Sequence, residues 1–258
     1  MTTLRPPATR RRRAPRPARH IFGLLVPAPD LLGGLLLLAS VIAVGASVGS
    51  LRYGLHVPGL VVLLVGVGFY ALAVARVGTP ALALLMTLVV AQAGHSVEHV
   101  VQMTQLLVQD LPGVAAQGFL VAANQESVHA AWSLGVMLGV ALLFAAGLRG
   151  PWAWALLAWS LLHAGEHVYL FARYLEVRAE MSRLGLPPLG AEQALPGILG
   201  RDGWLAGSPF ASWCSAIPGL VDAPRPVVHF VWNTGEMVLL LAAATRWRGL
   251  ARLGGDEP

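Results

Sequence analysis

Two short stretches hold most of the reactive side chains of this sequence: Gly94-His95-Ser96-Val97-Glu98-His99 and Leu162-His163-Ala164-Gly165-Glu166-His167. Each sets two histidines four residues apart, with a glutamate just before the second, inside a long apolar run. On a helix of 3.6 residues per turn the three side chains fall within about 100° of arc and one turn of rise, so each triplet shows two imidazoles and a carboxylate on one face. A carboxylate at the centre of a bilayer costs roughly 2.5–3.5 kcal/mol on insertion scales, and that cost demands a metal or a polar partner.

A second pair of segments repeats in the same way. Val128-His129-Ala130-Ala131-Trp132-Ser133-Leu134-Gly135-Val136-Met137 and Val228-His229-Phe230-Val231-Trp232-Asn233-Thr234-Gly235-Glu236-Met237 share Val, His, Trp, Gly and Met at matching positions. Aligning triplets and signatures together predicts two copies of one helical hairpin, related by a pseudo-two-fold axis along the membrane normal. The expected metal ligands are His95, Glu98, His99, Glu126 and His129 from one copy, and His163, Glu166, His167, His229 and Glu236 from the other. Glu126 and Glu236 break the symmetry and are the expected catalytic groups. Imidazole with carboxylate suits iron, copper, zinc or manganese, and a quasi-symmetric set of this size suits two transition metal ions. Gln102 and Asn233 share faces with these groups and can orient ligands through hydrogen bonds. Trp132, Trp232, Met137 and Met237 read as packing.

The spacing Glu126-x-x-His129 is similar to that of di-iron carboxylate bundles, where it places an acid and an imidazole on one face, but it occurs only once. Membrane desaturases and hydroxylases carry His-x-x-x-His and His-x-x-His-His boxes that face the cytoplasm. The His-x-x-Glu-His boxes here differ, so the chain is not assigned to that family. Inverted zinc-peptidase motifs share the letters but use a single copy in a soluble domain. The chemistry expected is that of an oxidoreductase, such as oxygen-dependent hydroxylation or desaturation of a lipid-like substrate, with an electron donor the sequence does not identify. Three other readings use the same residues: a transition-metal permease or metal-handling protein, haem held by axial histidines, and a Glu–His hydrogen-bond network without metal.

Elements able to position these groups must be membrane helices. The chain is 258 residues long, 56% hydrophobic and 12% charged, against about 25% charged residues in soluble domains. Six apolar runs of about the 20 residues that a bilayer core requires lie at 31–50, 58–76, 81–108, 119–147, 152–175 and 227–246. The expected fold is therefore all-α, a polytopic membrane protein of six transmembrane helices whose duplicated two-helix hairpin forms a four-helix core. Its parts are a disordered basic tail at 1–28, two buttressing helices at 29–78, a first metal-site hairpin at 79–148, a second at 149–248, and a tail at 249–258. The second hairpin holds a long loop at 176–226, a candidate cap over the bundle whose first residues are expected to continue the fifth helix.

There is no lysine, and seven of the 18 basic residues are arginines in the first 19 positions. The basic balance is thus a local tail, and no nucleic-acid partner is expected. Arg76, Arg149, Arg246, Arg248 and Arg252 fall on the same side as that tail, which by the positive-inside rule makes both termini cytoplasmic and turns the site outward. The expected setting is a plasma membrane of bacterial type, with the lipid bilayer itself as a partner. The one cysteine, Cys214, rules out an intrachain disulfide and a thiolate cluster.

Overall fold

A computed structural model describes residues 31–76, 78–187, 195–245 and 247. The two tails expected at 1–28 and 249–258, with Arg246, Arg248 and Arg252, lie outside the described residues. Within them the protein is all-helical: α1 (Leu31–Arg52), α2 (His56–Ala75), α3 (Pro80–Leu107), a 3₁₀ turn (Val121–Asn124), α4 (Glu126–Ala145), α5 (Pro151–Arg183), a single turn α6 (Ala211–Cys214) and α7 (Arg225–Thr245). Local chemistry sets several starts. Thr79 caps α3 by accepting from the Leu82 N–H at 3.2 Å, with Pro80 in the first turn, where proline gives up no intrahelical bond. Gly150, at φ 117°, turns the chain into Pro151.

Five helices, α1, residues Val57–Ala75 of α2, α3, α4 and α7, are long and apolar enough to cross a membrane. The chain is thus a helical protein of integral-membrane type. α5 is the longest helix at 33 residues but is not among the five. Its apolar part is interrupted by Trp152, Trp154, Trp159 and the polar triplet, and its last third is charged. That charged part runs on from Glu176 to Arg183, so the first residues of the 176–226 stretch continue the fifth long helix. Large apolar side chains such as Leu38, Ile42 and Leu64 face outward from α1 and α2, the surface a lipid environment would cover.

α1 and α2 form a tight hairpin: the Ser47 hydroxyl donates to the Gly59 carbonyl at 2.7 Å, and Gly66 lies against the Ser40 carbonyl and Ala43. Small residues let the backbones approach. α2 rests on α3. The remaining four long helices make a closed ring in which α3 packs on α7, α7 on α5, α5 on α4, and α4, more loosely, on α3. α3 therefore lies diagonally across from α5, and α4 from α7. Half of this bundle is a continuous apolar core that includes Leu85, Met86, Leu143, Leu156 and Leu240. The other half, toward the connecting residues 108–125, 184–187 and 195–224, holds the polar side chains; we refer to it as the capped end.

The start of α4 departs from expectation. The run at 119–147 predicted a span beginning near Phe119, whereas α4 begins at Glu126. Residues 117–124 have other uses for their polar groups. The Gly118 N–H donates to Gln105 Oε1 at 2.7 Å, the Leu120 N–H to Glu98 Oε1 at 2.7 Å, and the Asn124 amide to the Gln117 carbonyl. Gly118 is left-handed at φ 74° and Gln125 is extended at φ −67° and ψ 137°, so the helix does not run back through them. In consequence Glu126 stands in the first turn of α4 and His129 one turn in, nearer the capped end than the longer span implied.

Candidate metal centre

Six imidazoles meet inside the capped half of the bundle. α3 brings His95 and His99, α4 His129, α5 His163 and His167, and α7 His229. Their rings form one connected cluster: His95–His99 at 4.6 Å between centroids, His99–His129 at 5.9 Å, His129–His167 stacked at 5.1 Å, His167–His229 at 4.9 Å, His99–His229 at 5.8 Å and His163–His167 at 4.9 Å. Five of the six are buried; His95 alone is half-buried. The helix register explains the meeting. The i, i+4 spacing stacks each pair on one face, and both faces turn to the centre.

Each pair shows the same internal geometry. The Nε2 atoms of His95 and His99 lie 3.2 Å apart, and those of His163 and His167 also lie 3.2 Å apart. Neighbouring groups fix which nitrogen carries the proton. The Gln102 amide donates through Nε2 to Asn124 Oδ1 at 2.5 Å, so its Oε1, 2.7 Å from His99 Nδ1, accepts. His99 is then protonated on Nδ1, and Nε2 presents a lone pair.

The second half reaches the same state through Glu236. The Trp132 indole N–H, which can only donate, meets Gln92 Oε1 at 2.7 Å, so Gln92 Nε2 donates to Glu236 Oε2 at 2.7 Å. The Ser160 hydroxyl donates to Glu236 Oε1 at 2.6 Å, and His163 Nδ1 lies 3.2 Å from Glu236 Oε2. A carboxylate surrounded by donors accepts the Nδ1 proton of His163 and leaves its Nε2 bare.

The expected site residues divide into three groups by position. His95, His99 and His129 form a compact set, their ligand atoms within 4.8 Å of one another, the one such set among the described residues. Nitrogens around a tetrahedral ion with bonds near 2.1 Å sit about 3.4 Å apart, so small ring rotations would close the set on a metal. His163, His167 and His229 join the same cluster in a less compact arrangement. Three buried ring nitrogens, His129 Nδ1, His167 Nδ1 and His229 Nε2, make no hydrogen bond.

The glutamates lie around this cluster. Glu236 stands on its apolar-core side, in the network just described. Glu126 forms an ion pair with Arg225, whose guanidinium also donates to the Leu195 carbonyl at 3.2 Å. Glu98 and Glu166 lie outside the compact set, and each holds a connection. Glu98 Oε1 accepts from the Leu120 N–H, while Glu166 Oε1 accepts from Ile198 at 3.0 Å and more distantly from Leu199. Gly118 and Gly197 lie directly beneath these carboxylates, where a Cβ would overlap Oε1. Asn233 donates to the His229 carbonyl at 2.9 Å.

Arg225, Ser160, Asn124, Gly118 and Gly197 were not singled out from the sequence. One signal for the glycines exists: Gly118-Phe119-Leu120 and Gly197-Ile198-Leu199 are a third repeated element, one in each connection. Arg225 is marked only by its place between two prolines before a span.

Comparison of the chain with known protein families, with characterised proteins and with solved structures gives no match.

Proposed function

We propose that this chain is an integral-membrane metalloprotein in which six helices cross the bilayer and two matching hairpins, α3–α4 and α5–α7, close a four-helix core around two transition metal ions. His95, His99 and His129 hold one ion; His163, His167 and His229 hold the other. The reading is carried by the unpartnered nitrogens of three buried rings, and within each triplet the two Nε2 atoms stand 3.2 Å apart, close to the spacing of two ligands on one ion. Buried polar groups without partners cost roughly 1–3 kcal/mol each, and ligation removes that cost wherever an idle nitrogen takes the ion. The diagonal placement of matching helices and the shared use of a glutamate to hold a Gly-x-Leu segment support the duplication.

Iron or copper in such a centre supplies, when bound, the one-electron and oxygen chemistry that hydroxylation or desaturation of a hydrocarbon needs. The protein's own contributions are separate. Gln102 and Glu236 orient the rings of His99 and His163, and Glu236 is placed to take a proton from His163 Nδ1. The Glu126–Arg225 pair joins the starts of α4 and α7 above the centre. Glu98 and Glu166 hold the two connections that close it from water. The arginine distribution keeps both termini in the cytoplasm and the centre toward the outside.

A permease needs polar groups continuing through the bundle, and the other half of the core is apolar throughout. Axial ligation of haem needs a slot between facing histidines, but the rings already touch, with contacts at 4.6–5.9 Å.

The test is metal analysis of protein purified without chelator, together with an absorption spectrum. Stoichiometric iron or copper is expected, and His99→Ala should lose the ion of the first half. A wild-type protein that is metal-free and takes up neither iron, copper, zinc nor manganese would falsify the reading. A Soret band would replace it with haem.

A further inference from the structure

The two halves of the centre differ in one respect that the repeat makes plain. Four residues before His95 stands Ala91; four residues before His163, at the matching position, stands Trp159. Trp159 packs edge to face on Trp232 at 4.8 Å, donates to the Trp232 carbonyl at 2.8 Å, and lies so close to Gly235 that a Cβ there would overlap the indole. Trp232 in turn stacks on His163 at 5.4 Å with ring planes 7° apart. That half is sealed. In the other, Gly135, the counterpart of Gly235, has nothing within 4 Å of its would-be Cβ, nor has Gly94 beside His95. In place of the indole there is a cavity of about 300 Å³.

This cavity is a wedge between the α1–α2 hairpin and α4, with α3 as its floor, in a gap where α1 and α2 do not pack along α4. On α3 it runs from Thr87 to Glu98, about 16 Å parallel to the helix axis at 1.5 Å per residue. Its long walls are apolar, with Val44, Leu63, Val67 and Val90 among them. Its ionisable and amide groups gather at the capped end, where His95, His129, Glu98 and Gln125 line it, while away from that end its polar side chains are the hydroxyls of Ser40, Tyr70 and Thr87. A long narrow space, mostly apolar, running along the helix axes and with ionisable and amide groups at one end, has the shape and chemistry of a lipid chain in place in its own leaflet.

Resting on the metal-centre reading above, we infer that this wedge is the substrate chamber: it holds a single acyl chain of a membrane lipid, headgroup toward the capped end, with the carbon to be modified beside His95. The ion on His95, His99 and His129 is then the one that faces substrate. The ion on His163, His167 and His229 is closed off behind Trp159 and Trp232.

Photo-crosslinking tests this with a phosphatidylcholine carrying a diazirine midway along one acyl chain, incorporated into nanodiscs with the full-length protein. Adducts mapped by mass spectrometry are expected on Leu63, Val67 and Val90, enriched over lipid-facing Leu38 and Leu64. Ala91→Trp should lower the chamber adducts about tenfold, since a filled cavity excludes the chain, while bound metal stays at the wild-type level. Leu63→Trp, from the opposite wall, should do the same and serves if the first variant fails to fold. Trp159→Ala should acquire new adducts on the peptide containing Gly235. Labelling that is even over the lipid-facing surface, or indifferent to both tryptophan insertions, overturns the chamber even if metal is present. Chamber labelling in a protein without metal overturns the metalloenzyme and leaves a lipid-binding site.

Discussion

His95 and His163 occupy the same place in two matching triplets, and each has a tryptophan ring against it, Trp132 at 5.0 Å and Trp232 at 5.4 Å, yet the protein exposes them differently. His95 is half-buried on the wall of a cavity. His163 is 1% exposed, covered by the Trp232 ring and bonded to Glu236. The partners that orient each pair also differ: a neutral amide, Gln102, holds His99, while a carboxylate holds His163. A carboxylate behind an imidazole makes it a stronger electron donor to a bound ion. On the proposed reading, duplication gives two similar ligand sets, and the residues outside the repeat make one accessible and the other firmly held. For a centre working on a substrate, that difference divides the labour: one half for contact with substrate, the other for retention of metal and charge.

Removing Glu236 should break this comparison most severely. Glu236→Leu leaves the buried Gln92 and Ser160 donors without their acceptor and frees the His163 ring. With roughly 1–3 kcal/mol for each unsatisfied group, the variant should lose about 3 kcal/mol of stability and the metal of the second half. Glu236→Gln keeps the shape and one acceptor and should lose less of both. Thermal denaturation in detergent, paired with metal analysis, reads the two effects separately. If Glu236→Leu is as stable and as metal-loaded as wild type, the carboxylate does not hold the second half.

A smaller effect is expected at the capped end, where Glu126 and Arg225 join the first turns of α4 and α7. Arg225→Ala leaves Glu126, which is 0% exposed, without the guanidinium at its side. Breaking a buried pair costs roughly 3–5 kcal/mol; Arg225 is itself 14% exposed, so about 2 kcal/mol is the expected loss. The double variant Glu126→Gln with Arg225→Ala should recover about half of it. Additive losses in that cycle would show that the two groups do not act as a pair.

How much of this was legible in the sequence follows from what each feature depends on. The helices and the meeting of the histidines depend on apolar length and a spacing of four, both local properties. The start of α4 depends on the non-helical backbone at Gly118 and Gln125, in a segment tied by tertiary bonds to Glu98, Gln102 and Gln105, which sit 13–22 residues earlier on another helix. A hydropathy reading sees only that Phe119 to Ala123 is apolar, and so begins the helix seven residues early. The glutamates of the triplets were grouped with the metal ligands because they share the histidines' arc. That arc is about 100° wide, however, enough for the histidines to face the bundle centre while the glutamates beside them face the connections. The contrast between Ala91 and Trp159 was visible in the letters. Its meaning was not, because it requires knowing which face of α3 looks toward α1 and α2.

The finest comparison lies under the two triplet glutamates. Gly118 and Gly197 both sit where a Cβ would overlap a carboxylate oxygen, but only Gly118 also has a left-handed backbone, at φ 74°. Gly197→Ala should therefore cost the displacement of the Glu166 side chain and weakening of its bonds to Ile198 and Leu199, about 1–2 kcal/mol. Gly118→Ala pays the same steric cost at Glu98 and a further ~1 kcal/mol for a non-glycine residue in that conformation. The double variants separate the two terms. Combining Gly197→Ala with Glu166→Ala removes the overlap, so the pair should cost clearly less than the sum of its single changes. Combining Gly118→Ala with Glu98→Ala also relieves the overlap but leaves the backbone term, and a deficit of about 1 kcal/mol should persist. Equal recovery in both halves would mean that the backbone at Gly118 relaxes freely and that the two connections are held alike; additive losses in both would mean that neither glutamate anchors its loop.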